Sequence, residues 1–186
     1  VALLLRQFTP HLLQQLKQLI LILPPDPLYP PYTCNMKSEE IVILKATKPD
    51  HLSLIEIWES AVRATHHFLS NDDILYFRQQ ILDQYFDMVD LYLLKISNDE
   101  TAGFLGLSPG KIEMLFIDPA YFRKGLGSIL LDYAVTKHAV TKVDVNEDNP
   151  DALQFYLRKG FHVINRLEKD AEGKDFPILQ MELVQK

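Results

Sequence analysis

From Phe116 to Ala134 the chain reads F-I-D-P-A-Y-F-R-K-G-L-G-S-I-L-L-D-Y-A. An apolar run meets a proline break, then a turn with two cations, Arg123 and Lys124, and two glycines, Gly125 and Gly127. No acid lies between Tyr121 and Leu131. A strand, a glycine turn and a helix in that order make an anion site, because backbone N–H groups of the turn and the helix N-terminus converge on one point. Phosphate is the chemistry this pattern suits. A dinucleotide fingerprint would need a third glycine where Leu130 stands. Asp144 lies at about the spacing of a ribose-binding acid, yet neither the Pro119 break nor the basic pair belongs to that fingerprint. No G-x-x-x-x-G-K-[ST] occurs, so a P-loop is excluded. A plain tight turn remains open on this stretch alone.

A second stretch lies downstream, at the helix after the next strand: Asn149, Ala152, Phe155, Tyr156, Gly160 and Phe161 form N-x-x-A-x-x-F-Y-x-x-x-G-F. Together the two stretches resemble the signature motifs of the GNAT superfamily of N-acetyltransferases, over about Ile41 to Val184. Ile57 to Leu69, Met114 to Pro119 and Val145 to Ala152 further resemble its small bacterial YjaB-like branch. The resemblance implies acetyl-CoA as acetyl donor and no metal. The backbone from Arg123 through Lys124, Gly125, Leu126 and Gly127 to Ser128 would take the pyrophosphate. Phe116 and Ile117 would lie against the pantetheine amides, a bulge would splay their strand from the one holding Val145, and Asn149 would reach the pantetheine arm. Plainer roles stay open: core packing for Phe116 and Ile117, a helix cap for Asn149. One departure stands out, since the polar first position of the family turn is Phe122, with Arg123 one place later.

Three side chains are candidates for the chemistry. Tyr156 matches the position from which the family protonates the departing thiolate; a phenol of ordinary pKa near 10 is a plausible donor. An amine acceptor of pKa about 10.4 is only about one part in 2,500 neutral at pH 7, so a group must take its proton. Glu113 is the first candidate, directly or through water, although strand alternation would set it on the face opposite Met114. His66 and His67 follow the first helix, and His66 is the candidate to contact the acceptor or relay a proton. Adjacent histidines without further ligands nearby do not make a metal site.

The elements that must position these residues are short. Ile41 to Ala46 reads as a strand, and Pro49-Asp50 introduces a helix with Leu54, Ile57, Trp58, Ala61 and Val62 at helical spacing. A second helix is expected from an Asn71 cap to about Phe86. Leu91 to Ser97 and Ala102 to Leu107 pair around Asn98-Asp99-Glu100. Ile112 to Ile117 is a strand, Ser128 to His138 a helix, Lys142 to Asn146 a strand. Asn149 and Pro150 start a helix that closes at Gly160. Phe161 to Asn165 and Pro177 to Leu183 are the last strands. Early strands follow one another and later ones alternate with helices, which predicts an α+β, GNAT-like fold: a mixed central sheet of six to seven strands with helices on both faces.

The 186 residues are 47% hydrophobic and 24% charged, which suits one domain with a full core. The formal charge of −6 argues against a nucleic-acid partner and for a cationic one. The only cysteine, Cys34, excludes an internal disulfide. Six of the 11 prolines fall in residues 1–35, which carry +1 of that charge and leave −7 for the remainder. Leu19 to Leu23 is too short to span a bilayer, so no membrane partner is expected. Residues 1–35 are expected to be a leader, disordered or a misassigned upstream start with Met36 the natural one, ahead of an acetyltransferase domain over residues 36–186. The expectation is a cytoplasmic monomer or homodimer that acetylates a primary amine, on a small molecule or a lysine-bearing protein. A non-catalytic CoA-binding sensor of the same fold is the alternative.

Overall fold

The computed structural model describes residues 41–66, 69–96, 99–169 and 177–184. The expectations for residues 1–35, Met36 and His67 lie outside the described residues. In chain order the elements are β1 (Val42–Lys45), α1 (His51–Thr65), α2 (Asn71–Asp83), β2 (Asp90–Ile96), β3 (Glu100–Ser108), β4 (Lys111–Ile117), α3 (Leu126–His138), β5 (Lys142–Asn146), α4 (Pro150–Arg158), β6 (Phe161–Leu167) and β7 (Ile178–Leu183). The seven strands form one mixed sheet in the order β1-β2-β3-β4-β5-β7-β6. Every neighbouring pair is antiparallel except β4 and β5.

Period-2 strands and amphipathic helices sort the side chains into two cores. Leu54, Trp58, Ala61, Phe77 and Ile81 of α1 and α2 pack on Leu93, Phe104, Met114 and Phe116. On the other face, Leu126, Leu130 and Ala134 of α3 and Ala152, Phe155 and Tyr156 of α4 pack on Leu105, Ile112, Leu115, Ile117, Val143 and Val145. Burying each large side chain contributes about 1.5–3 kcal/mol, so both faces hold the sheet.

Three helix boundaries differ from the expectation. The cap of α2 is Ser70, whose Oγ accepts the Asp73 N–H at 3.2 Å while the Asp73 carboxylate accepts the Ser70 N–H at 3.1 Å. That reciprocal pair outcompetes Asn71 for the cap and starts the helix one residue earlier. The helix also stops at Asp83, and Tyr85–Asp87 follow as a 3-10 turn. The α3 helix begins at Leu126 because Gly125, at φ 76°, takes the left-handed cap conformation that a glycine tolerates.

Candidate active site

The site begins where β4 and β5 part. Only Lys111 with Lys142 and Ile112 with Val143 are paired between them. Beyond that point β4 stays bonded to β3 as far as Ile117 with Gly103, and β5 to β7 as far as Asn146 with Ile178. Each strand is thus held on its outer side and, among the described residues, has no strand partner on its inner side. The result is a slot edged by the backbone of Met114 to Ile117 and of Asp144 to Asn146.

A bulge accompanies the parting. Gly106 faces Met114 and Leu107 faces Ile112, which leaves Glu113 as the extra residue on β4. Alternation breaks there: Ile112 sits in the α3/α4 core and Met114, two residues on, in the α1/α2 core. Glu113 is therefore not set opposite Met114, as regular alternation would have it. Its Oε1 accepts the Ser108 hydroxyl proton at 2.6 Å, and Oε2 lies 3.7 Å from Lys111 Nζ. Lys111 in turn donates to Asp144 Oδ2 at 2.7 Å. Val143 and Val145 face the α3/α4 core, so Asp144, Lys111 and Glu113 form a polar cluster on the opposite face. Asp144 is accordingly committed to Lys111, not to a ribose.

At the far end of the slot the chain leaves β4 through Asp118, whose Oδ1 accepts the Ala120 N–H at 2.8 Å. The turn then alternates its handedness. Arg123 has φ 62° and Gly125 φ 76°, on either side of Lys124. Such alternation curls successive N–H groups toward one centre. The Phe122 N–H donates to Pro119 O and the Ser128 N–H to Gly125 O; among the described residues, the intervening amides of Arg123 to Gly127 donate to no backbone acceptor. Arg123 and Lys124 are exposed, with Lys124 Nζ 4.5 Å from the Tyr121 ring centre. These undonated amides, a helix N-terminus and two cations make a strong anion cradle. Phe122 points elsewhere, packing against both cores. Its apolar side chain anchors the turn, and the exposed charge is supplied by the residue after it.

Tyr156 lies on α4, stacked edge-on between Phe155 and Phe161 at centroid distances of 5.0 and 5.1 Å. It is fully buried, and its hydroxyl has no hydrogen-bond partner among the described residues. Burial alone pushes the phenol well above its ordinary pKa. The α4 helix is set by Asn149, whose Oδ1 accepts the Ala152 N–H at 3.0 Å, and by Pro150 at its first position. Asn149 therefore does act as a cap. Phe116 and Ile117 are buried in opposite cores, with their backbone on the slot edge. His66 caps the C-terminus of α1 and is buried, with Nδ1 3.2 Å from Thr65 Oγ1.

The sequence did not single out Asn146, although it is buried at the slot end of β5. Its signal was present: a polar residue closing an apolar strand in V-D-V-N. Among the described residues no group of three or more His, Cys, Asp or Glu could hold a metal ion, and no helix is long and apolar enough to cross a membrane.

The parting of the parallel strands and the amide cradle beyond it fall on the Phe116 to Ser128 stretch of the GNAT motif. The model of the acetyltransferase (GNAT) domain matches residues 58–184. The chain belongs to that family. It is 36% identical over 131 residues to the peptidyl-lysine N-acetyltransferase YjaB of Salmonella typhimurium, covering 69% of this chain and 88% of that protein. The solution structure of apo YjaB from Escherichia coli superposes with a TM-score of 0.70 at 31% identity, over 79% of this chain and 99% of that one. A PaiA N-acetyltransferase from Thermoplasma acidophilum, crystallised with coenzyme A, shares the fold at TM-score 0.58 and 21% identity, over 78% of this chain and 99% of its own. The GNAT expectation, the YjaB-like resemblance and the α+β sheet with helices on both faces are borne out.

Proposed function

We propose that this protein moves an acetyl group from acetyl-CoA to a primary amine, a protein lysine or a small cationic amine, by direct attack in a ternary complex. The observation that carries this reading is the parting of β4 from β5 after Ile112 and Val143, with the Arg123 to Gly127 amides undonated at the mouth. That arrangement fits an acyl-CoA. The cradle suits its pyrophosphate, with Arg123, Lys124, Gly125, Leu126, Gly127 and Ser128 as the holding segment. The slot edge at Phe116 and Ile117 offers backbone without a strand partner on its inner side, among the described residues, to an amide-bearing arm, and Asn149, at the start of α4, is the candidate to reach that arm. The acyl-CoA supplies an activated acetyl thioester.

The chain's own groups do the rest. Glu113, bonded to Ser108 and close to Lys111, is the candidate to take the proton that the attacking amine must lose, directly or through a water. His66 is a second candidate for contact with the acceptor. Tyr156 donates its phenolic proton to the departing sulfur. Its raised pKa keeps that proton in place at working pH, and its buried hydroxyl needs a partner that the thioester sulfur would supply. The relatives' names point to lysine in proteins, which agrees with the net negative charge of this chain. A cytoplasmic location, and a leader at residues 1–35 ahead of the domain, belong to the same proposal.

Calorimetric titration of acetyl-CoA and of NAD, followed by turnover with a lysine-bearing peptide, tests the reading. Binding of acetyl-CoA alone and acetylated peptide are expected. Folded protein that binds no acetyl-CoA would overturn it, and binding without turnover on any amine would leave a CoA-binding module.

A further inference from the structure

Asn146 carries the clearest unexplained group in the molecule. It closes β5 at 1% exposure, and its Oδ1 accepts the Asp148 N–H at 2.7 Å. That bond identifies the ends of the amide, because an N–H can be received only by the oxygen. The other end, Nδ2, is then a donor of two protons, and it has no partner among the described residues. A buried donor without an acceptor is costly and rare, and it calls for a ligand atom that completes it. The turn after it is otherwise closed: the Asn149 N–H donates to Asn146 O at 3.0 Å, and the Glu147 N–H to Pro177 O at 2.9 Å.

The register says what kind of atom that is. Ile112 pairs with Val143, and the extra residue at Glu113 shifts the count by one, so Asn146 stands level with Phe116, on the stretch of β4 whose inner edge has no strand partner among the described residues. The amide cradle lies beyond Ile117. An arm reaching from the cradle along the slot toward Ile112 passes this level and presents carbonyl oxygens to it. Val145 faces the α3/α4 core, which puts Asn146 on the other face, the one shared with Glu113, Lys111 and Asp144 and opposite Tyr156. A donor is needed there for a carbonyl oxygen.

We propose that Asn146 donates from Nδ2 to the carbonyl oxygen of the transferred acetyl group, an assignment that rests on the acetyl-CoA reading above. When the amine nitrogen bonds to the carbonyl carbon, the π pair moves to that oxygen, and Asn146 holds the charge that develops. As the pair returns, the carbon–sulfur bond breaks. The sulfur takes the Tyr156 proton, and the surplus amine proton leaves to Glu113 or water, so atoms and charge balance.

Coenzyme A with a free thiol lacks this oxygen, which gives a test independent of turnover. Calorimetry would compare acetyl-CoA and CoA on the full chain with the wild type, Asn146→Asp and Asn146→Ala. The aspartate keeps an oxygen for the Asp148 N–H and loses the donor. Both variants are expected to weaken acetyl-CoA binding roughly fivefold while CoA changes by less than about twofold, as one lost hydrogen bond would do. Turnover should fall further, about a hundredfold. Equal weakening of both ligands would mean that the amide serves only the turn or the arm, and no weakening of either would mean that it serves neither; each overturns the proposal. If Asn146→Ala fails to fold, the Asp variant carries the comparison. Wild-type protein that binds neither ligand would overturn the functional reading itself, and this assignment with it.

Discussion

Tyr156 makes the sharpest predictions at the scale of single residues, because its hydroxyl is buried without a partner among the described residues. Removing a hydroxyl that bonds to nothing does not destabilise a core and can relieve it. Tyr156→Phe should therefore melt no lower than the wild type and bind acetyl-CoA within about twofold, while turnover falls about 10²-fold through loss of the proton donor. Melting curves, calorimetry and steady-state rates on one preparation check all three. The phenol also has a pH signature. Burial raises its pKa in the folded state, so folding holds the proton more tightly than the unfolded chain does. The stability tied to that proton is fully present below the unfolded value of about 10 and is lost as pH rises above it. Denaturant titrations above pH 10 should show the wild type losing stability faster than Tyr156→Phe. Equal slopes would mean that the phenol does not titrate with unfolding.

At the scale of elements, two glycines distinguish packing from backbone conformation. A Cβ on Gly103 of β3 would lie 2.6 Å from Phe116 O and from Ile117 Cδ1. That carbonyl belongs to the strand that edges the slot, so Gly103→Ala cannot be absorbed by a flexible side chain alone. It should cost about 1–3 kcal/mol and weaken acetyl-CoA by displacing β4, read as a lower melting temperature together with a higher Kd. A Cβ on Gly125 would meet nothing within 4 Å, but φ is 76°. Gly125→Ala should cost about 1 kcal/mol through the left-handed conformation alone, and its effect on acetyl-CoA should exceed its effect on stability, because the cradle amides reorient. Gly125 also stands where the sequence made the site legible. The strand, glycine turn and helix could be read from residue order, as could Asn149, Pro150 and Gly160 around α4. The β4 bulge was expected from the family resemblance alone, because it exists only in the register with β3 and no local pattern at Glu113 announces it. Asn146 left only its polarity at the end of V-D-V-N as a signal, and its burial as an unpartnered donor, among the described residues, shows only once β5 is seen to part from β4. Ser70 displaced Asn71 because the reciprocal bond with Asp73 depends on a spacing of three residues, and Asn71 lacks it.

For the whole molecule, the excess of acid over base sets how an acceptor arrives. A chain of net charge −6 draws a cationic peptide through a field that salt screens within about 8–10 Å at 0.1–0.15 M. The KM for a basic lysine peptide should rise roughly several-fold between about 0.05 and 0.5 M salt, because exposed charges lose their reach as the screening length shortens, while a neutral primary amine should change little. Lys124→Ala should narrow the salt dependence of the cofactor instead, weakening acetyl-CoA roughly fivefold at low salt and less at high salt, since its exposed ammonium faces the anion. The topology itself was legible: short strands first and strand-helix alternation later led to the mixed sheet, and seven strands are found. Where strands lie next to one another was not, because the partner of β5 on its outer side is β7, which follows only after α4 and β6. The decisive experiment is the rate of acetyl transfer from acetyl-CoA to a lysine-bearing peptide, followed by the mass of the peptide, for the wild type beside Tyr156→Phe. Acetylation on the lysine side chain by the wild type is expected, with the variant binding acetyl-CoA normally and turning over about 10²-fold more slowly. Acetyl-CoA bound tightly by both proteins with no acetylated lysine from either would contradict direct transfer to an amine and the role of Tyr156 with it.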